Sequence, residues 1–221
     1  MPKTYIVTGH FGSGKTEFCV NLALDMVQSG AVAVADLDVI NPYFRSRERA
    51  KLFASLGIEL VSDHLENNTG QDLPAVNFSF LSRAGKANLI MDLGGGLSGL
   101  RLLTACSHTI QKGGDYEFLC VLNPFRPDTD TIAKMVEFVN GINGASELKV
   151  TGLVNNGHML HHTTADHVLE SQEITMEIAN ILNLPLRYTL LRKDIYNEIS
   201  DDLKSDKVLT FDKLQMREEW L

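Results

Sequence analysis

Gly9-His10-Phe11-Gly12-Ser13-Gly14-Lys15-Thr16 fills every fixed position of the phosphate-binding pattern G-x-x-x-x-G-K-[ST], directly after the apolar run Tyr5-Ile6-Val7. Such a loop needs a strand before it and a helix after it. The β-branched and aromatic run supplies the first, and Phe18, Cys19, Leu22, Ala23 and Met26 recur at the spacing of one helix face packed on a sheet. The backbone amides around Gly9, Gly12, Ser13 and Gly14 are expected to turn inward around a phosphate chain. Lys15 then faces the β/γ oxygens, the Thr16 hydroxyl is placed to ligate Mg²⁺, and the helix adds its positive N-terminal end.

The chain has 221 residues, enough for one well-buried α/β domain, and we expect a single nucleotide-binding domain over 1–221. No apolar stretch reaches the roughly 18–20 residues that cross a bilayer, and the first residues lack the charged start and apolar core of a signal peptide. A cytoplasmic protein with no membrane span is therefore expected. Cys19, Cys106 and Cys120 lie in apolar surroundings without C-x-x-C pairing, as buried core residues do. With 20 basic against 28 acidic residues the net charge is −8, which disfavours nonspecific binding to nucleic acid. The local basic group Arg45, Arg47, Arg49 and Lys51, interrupted by Glu48, reads as the solvated face of a helix.

Strand-like runs recur along the chain at 5–8, 31–35, 59–61, 88–91, 118–122, 149–154 and 186–191. Several are apolar on both faces, as a parallel sheet covered by helices on each side requires. Between them Ile132, Met135, Val136 and Val139 repeat at helical spacing, as do Ile174, Ile178, Ile181 and Leu182. The alternation predicts a doubly wound, mostly parallel sheet in a three-layer α/β/α sandwich. Residues 63–86 are polar and turn-rich at their centre and read as a long loop, and 201–207 reads as a solvated linker into a short C-terminal element.

Two acidic strand ends follow the loop. Asp36-Leu37-Asp38 places two carboxylates on the same side of one strand's C-terminal end, where ligands of such sheets bind. Asn88-Leu89-Ile90-Met91-Asp92 is an apolar strand ending in a carboxylate, followed by Gly94-Gly95-Gly96. An acid there is costly unless paired or metal-bound, and it fits one that holds Mg²⁺ through water while the glycines admit a γ-phosphate.

Phosphate loop, Asp-x-Asp strand end and Asp-x-x-Gly strand end, in this order, resemble the ParA/MinD/nitrogenase-iron-protein group of P-loop ATPases, the CobQ/CobB/MinD/ParA nucleotide-binding domains. Val121-Leu122-Asn123-Pro124 is similar to the Asn-Pro after a core strand in MinD-like proteins, and Gly152-Leu153-Val154-Asn155-Asn156 looks like the strand whose final Asn reads adenine. The resemblance covers about residues 3–156. It implies ATP and Mg²⁺ as cofactors, Lys15 and Thr16 on phosphate and metal, Asp38 positioning the attacking water and Asp92 holding the metal's water shell. Asn156 would read the base, with Asn155 as the alternative. The group usually carries a lysine at the second loop position that reaches into a partner subunit's nucleotide; here that position is His10. Arg45 or Arg47 is the candidate substitute in a homodimer. The Asn-Lys-x-Asp segment of guanine-specific P-loop proteins is absent, which favours ATP.

His158, His161, His162 and His167 fall just after the base-reading strand. His158 and His162 are four residues apart, but no cysteine joins the group, and they read as exposed, hydrated histidines rather than a metal site. The leading expectation is an ATP-hydrolysing switch, binding ATP and ADP and acting on an unknown protein partner. The alternatives are a biosynthetic enzyme activating a carboxylate, resembling dethiobiotin synthetase or cobyrinate amidase, and a nucleotide-binding module with little turnover.

Overall fold

The computed structural model describes residues 1–38, 45–61, 78–95 and 97–217. Together they form one sheet of eight strands, ordered β3-β2-β4-β1-β5-β6-β7-β8 and parallel throughout. The strands are β1 (Thr4–Gly9), β2 (Val32–Leu37), β3 (Glu59–Val61), β4 (Asn88–Leu93), β5 (Tyr116–Leu122), β6 (Gly152–Asn155), β7 (Leu186–Arg192) and β8 (Lys207–Phe211). The helices are α1 (Lys15–Met26), α2 (Ala50–Leu56), α3 (Leu97–Lys112), α4 (Ile132–Ala145), α5 (Ala165–Leu182) and α6 (Lys193–Ile199).

Both faces of the sheet are covered, and the alternation along each strand assigns its residues to one side or the other. Ile6, Leu89, Met91 and Phe118 join a core with Leu103 and Ile110 of α3, Met135 and Val139 of α4 and Ile178 of α5. Val7, Ile90, Val121 and Val154 face the opposite side, against Phe18, Leu22 and Met26 of α1, Phe53 of α2, and Leu214 and Met216 beyond β8. The expected doubly wound α/β sandwich is therefore present. All three cysteines are buried.

The sequence reading departs from the structure at several places. The segment expected as a solvated linker runs from a 3-10 turn, Ser200–Asp202, to the first residue of β8, an eighth strand that the apolar runs did not reveal. Its burial alternates because it is the sheet edge, so only Leu209 and Phe211 are apolar and buried. Ile181, grouped with the buried face of α5, is 55% exposed. The expected long loop lies outside the described residues as far as 77, and its last part is a 3-10 turn, Phe78–Arg83, that buries Phe80.

Strand β1 sits between β4 and β5, so the loop after it opens where the connections diverge to the two sides of the sheet. The acidic ends of β2 and β4 arrive at the same edge, Asp36 opposite Asp92 across adjacent parallel strands.

Candidate functional site

The phosphate loop turns tightly between β1 and α1, closed by the Ser13 N–H donating to the His10 carbonyl at 3.1 Å. Gly14 sits at φ 86°, where a side chain is strained, and a Cβ there would collide with the Asn156 amide. Lys15 and Thr16 are buried at the start of α1. The Lys15 ammonium lies beside Gly95 of the β4 loop, so the two strand ends meet around one cationic head.

Asp36, Asp38 and Asp92 are all buried at this edge, in different states. Asp36 Oδ2 accepts from the Arg47 Nε at 2.6 Å and from the Arg47 backbone N–H at 3.2 Å. Arg47, expected on a solvated helix face or reaching a partner subunit, thus spends its guanidinium on a buried carboxylate of its own chain. The Asp38 carboxylate lies against Gly94, where a Cβ would stand 2.8 Å from its Oδ1. Among the described residues neither oxygen of Asp92 has a hydrogen bond of regular geometry, though the Thr16 hydroxyl and the Cys19 thiol interact with it. Burial pushes the Asp92 carboxyl up to about 7; Lys15 pulls it down, and Asp36 and Asp38 push it further up. A buried acid beside Thr16 with no salt bridge is what a hydrated Mg²⁺ at the phosphates would satisfy. The described residues contain no group of three His, Cys, Asp or Glu side chains that could hold a metal, so such an ion would take its other ligands from phosphate and water.

On the other side of the loop, two hydrogen bonds brace it against the segments after β5 and β6, and a third joins those segments to each other. The Asn156 Nδ2 donates to the Ser13 carbonyl at 2.7 Å, the Arg126 Nε to the Gly12 carbonyl at 3.1 Å, and the Asn123 Nδ2 to the His158 carbonyl at 3.0 Å. They border a cavity of about 320 Å³ that runs from Lys15 and Thr16 to an apolar end at Leu160, Phe211, Leu214 and Met216. Asn156 lines this cavity, and among the described residues no donor is paired with its Oδ1, which leaves an acceptor at the wall. Asn155 does not line it; its Oδ1 accepts from the Ser171 hydroxyl at 2.5 Å, behind the pocket wall.

The histidine group separates. His161 and His162 are exposed, with rings 3.9 Å apart, and His167 caps α5 through the Thr164 hydroxyl at 2.8 Å. His158, expected to be exposed and hydrated, is instead 7% exposed and lines the cavity. Its Nδ1 accepts the Leu160 N–H at 2.9 Å, so the neutral ring carries its proton on Nε2. Burial, with Arg126 and Arg192 nearby, lowers its pKa to about 4. The reversal has a local cause: Leu160 at φ 55° turns the chain sharply after His158, folding the ring inward. His10 also turns to its own chain, its ring edge-on to Phe138 of α4 at 5.4 Å and its Nδ1 3.9 Å from Asp128.

The sequence missed the apolar end of the cavity altogether. Phe211 closes β8, and Leu214, Met216 and Arg217 belong to an irregular segment beyond it that no motif marks.

No protein-family model matches this chain, and no curated protein matches it. Solved structures do. The cell division protein FtsY of Thermotoga maritima is 23% identical, with a TM-score of 0.54, over 86% of this chain and 61% of that one. FtsY of Mycoplasma mycoides is 17% identical, with a TM-score of 0.58, over 85% and 60%. The signal recognition particle receptor FtsY of Elizabethkingia anophelis, in complex with GDP, is 20% identical, with a TM-score of 0.55, over 86% and 57%. The chain thus spans about three fifths of the length of these proteins, and at such identities the likeness defines the fold. That fold is the P-loop NTPase-like α/β sandwich, with the phosphate-binding sequence at the position the fold gives it.

Proposed function

We propose that this chain binds a purine nucleoside triphosphate with Mg²⁺ and acts as a nucleotide-controlled switch on a protein partner. The observation that carries the reading is the complete phosphate loop, with Lys15 and Thr16 buried at its mouth and the buried Asp92 carboxylate behind them. In this reading the loop amides and Lys15 hold the β- and γ-phosphates. The Thr16 hydroxyl and the water shell backed by Asp92 hold Mg²⁺, which neutralises phosphate charge. Asp38, against Gly94, orients the attacking water. The MinD/ParA resemblance of the sequence supports the same roles.

ATP is the preferred nucleotide. Guanine presents N1–H and N2–H₂ donors that call for a carboxylate, and among the described residues lining the cavity only Glu17 is acidic. Both of its oxygens are occupied by the protein's own amides. The Asn156 Oδ1, by contrast, is an acceptor suited to the adenine amino group. A guanine nucleotide is the second reading, supported by the GDP complex of a structural neighbour.

Calorimetric titration with Mg-ATP and Mg-GTP tests both. Mg-ATP is expected to bind more tightly, and Lys15→Ala to weaken binding by about tenfold or more through loss of a charge-assisted contact. Tighter binding of Mg-GTP would replace the adenine assignment with the second reading. Binding of neither nucleotide would overturn the proposal.

A further inference from the structure

Glu17 follows the last residue of the phosphate loop and would ordinarily face solvent from the first turn of a helix. Instead it is 9% exposed and points across to the far end of the sequence. Its Oε1 accepts the Gln215 N–H at 2.8 Å and its Oε2 the Met216 N–H at 2.9 Å, while the Asn21 Nδ2 donates to Oε1 at 2.8 Å. A carboxylate is costly to bury unless its lone pairs are used, and here two of its three donors come from consecutive amides of one irregular segment. That segment is part of the apolar end of the cavity: Leu214 and Met216 are 7% and 4% exposed and face it with Phe211 and Leu160. Arg217 continues the attachment, its Nη1 2.6 Å from the Glu48 Oε2.

The two ends of the cavity differ in chemistry. One is cationic and rich in backbone amides, suited to phosphate; the other is apolar, suited to a planar base that leaves water for hydrocarbon walls. Glu17 stands at the junction, contributing helix backbone to the first and fixing the wall of the second. Resting on the nucleotide-binding reading, we infer that Glu17 is the positioning residue for the nucleobase: by pinning residues 214–217 it holds the wall against which a purine ring packs. It touches neither phosphate nor base with its carboxylate and acts through the segment it holds.

The base and phosphate contributions can be separated by titrating the whole chain with its tighter-binding Mg-nucleotide and with Mg-tripolyphosphate, which has no base. Glu17→Ala is expected to lower nucleotide affinity by about tenfold or more while leaving tripolyphosphate affinity within about twofold, since hydrogen bonds to a charged group are lost only at the base wall. Glu17→Gln is expected to fall between, because its amide nitrogen cannot accept one of the two N–H groups. Hydrogen exchange at the Gln215 and Met216 amides should accelerate in Glu17→Ala. Met216→Ser, which keeps the backbone bond to Glu17 but removes the apolar wall, provides a second variant should Glu17→Ala not fold. It too should lose nucleotide and not tripolyphosphate affinity.

Unchanged nucleotide affinity in these variants, or equal loss of both ligands, would overturn the inference. A wild-type chain that binds tripolyphosphate with the same affinity as either nucleotide would overturn it as well, leaving phosphate binding intact. If the wild type binds no nucleotide and no tripolyphosphate, the parent reading falls and takes this one with it.

Discussion

Asp36 and Asp92 are neighbours on adjacent strands, yet the structure treats them in opposite ways. Asp36 is paired with Arg47 at 2.6 Å, whereas Asp92 has no salt bridge among the described residues and is pushed up to about 7 by burial. One is an internal tether, and the other is the acid proposed to back a cation's water shell. This division predicts different kinetics for the acids of the site. Asp38→Ala should lower nucleotide turnover on the order of 10²-fold while changing affinity by no more than about threefold, because a group that orients water acts mainly in the transition state. Asp92→Ala should instead abolish the Mg²⁺ dependence of nucleotide binding, measured by titration with and without the metal.

His158 makes a prediction about stability. Its folded pKa, about 4, lies below the ordinary histidine value, so between those two pH values the unfolded chain takes up a proton that the folded chain refuses. The stability linked to this ring is complete above about 6.5 and is lost as pH falls toward about 4. Denaturant unfolding of wild type and His158→Asn across that window should show the wild type losing more stability on acidification, by on the order of 1–3 kcal/mol. Parallel curves would mean that the ring is solvated when folded.

At the scale of elements, the loop and the strand ends were legible because each carries a residue type that backbone geometry demands. Gly14 is needed for a left-handed turn pressed against Asn156, and the strands around it are apolar on both faces. Gly14→Ala is therefore expected to destabilise the fold by about 1–2 kcal/mol and to weaken phosphate binding, read by thermal unfolding and tripolyphosphate titration. The helix faces of α1 and α4 were readable for the same reason of periodicity. What the sequence hid has equally physical causes. β8 is an edge strand, buried on one side only, so Lys207-Val208-Leu209-Thr210-Phe211 lacks the continuous apolar run that marked the central strands. The wall beyond it is held by bonds from Glu17 to backbone amides, which any side-chain sequence would supply. His158 was misjudged because a histidine-rich loop looks hydrophilic, while the turn at Leu160 that buries the ring depends on one residue's φ.

For the molecule as a whole, the phosphate loop lies at the edge formed by the C-terminal ends of the strands. The tip residue Phe11 is 68% exposed there, and His10 is drawn back onto α4. A γ-phosphate at such an edge is shielded from water most simply by another protein surface. A second copy of the chain is the expected cover: light scattering of Asp38→Ala with excess Mg-ATP should report a dimer, with monomer in ADP or without nucleotide. Phe11→Ser should shift that equilibrium back. One molecular mass under all three conditions would remove the homodimer and leave the cover to a different protein.

The bonds from Glu17 to residues 215 and 216 also bear on how the molecule comes into being. They join positions 198 and 199 residues apart, close to the full span of the sequence. In refolding, closing so long a loop carries an entropic cost that nearby contacts do not. Docking of residues 214–217 on α1 is thus expected late in refolding, after much of the sheet can already have paired. On the proposed reading, a refolding chain regains its hold on phosphate before its grip on the base.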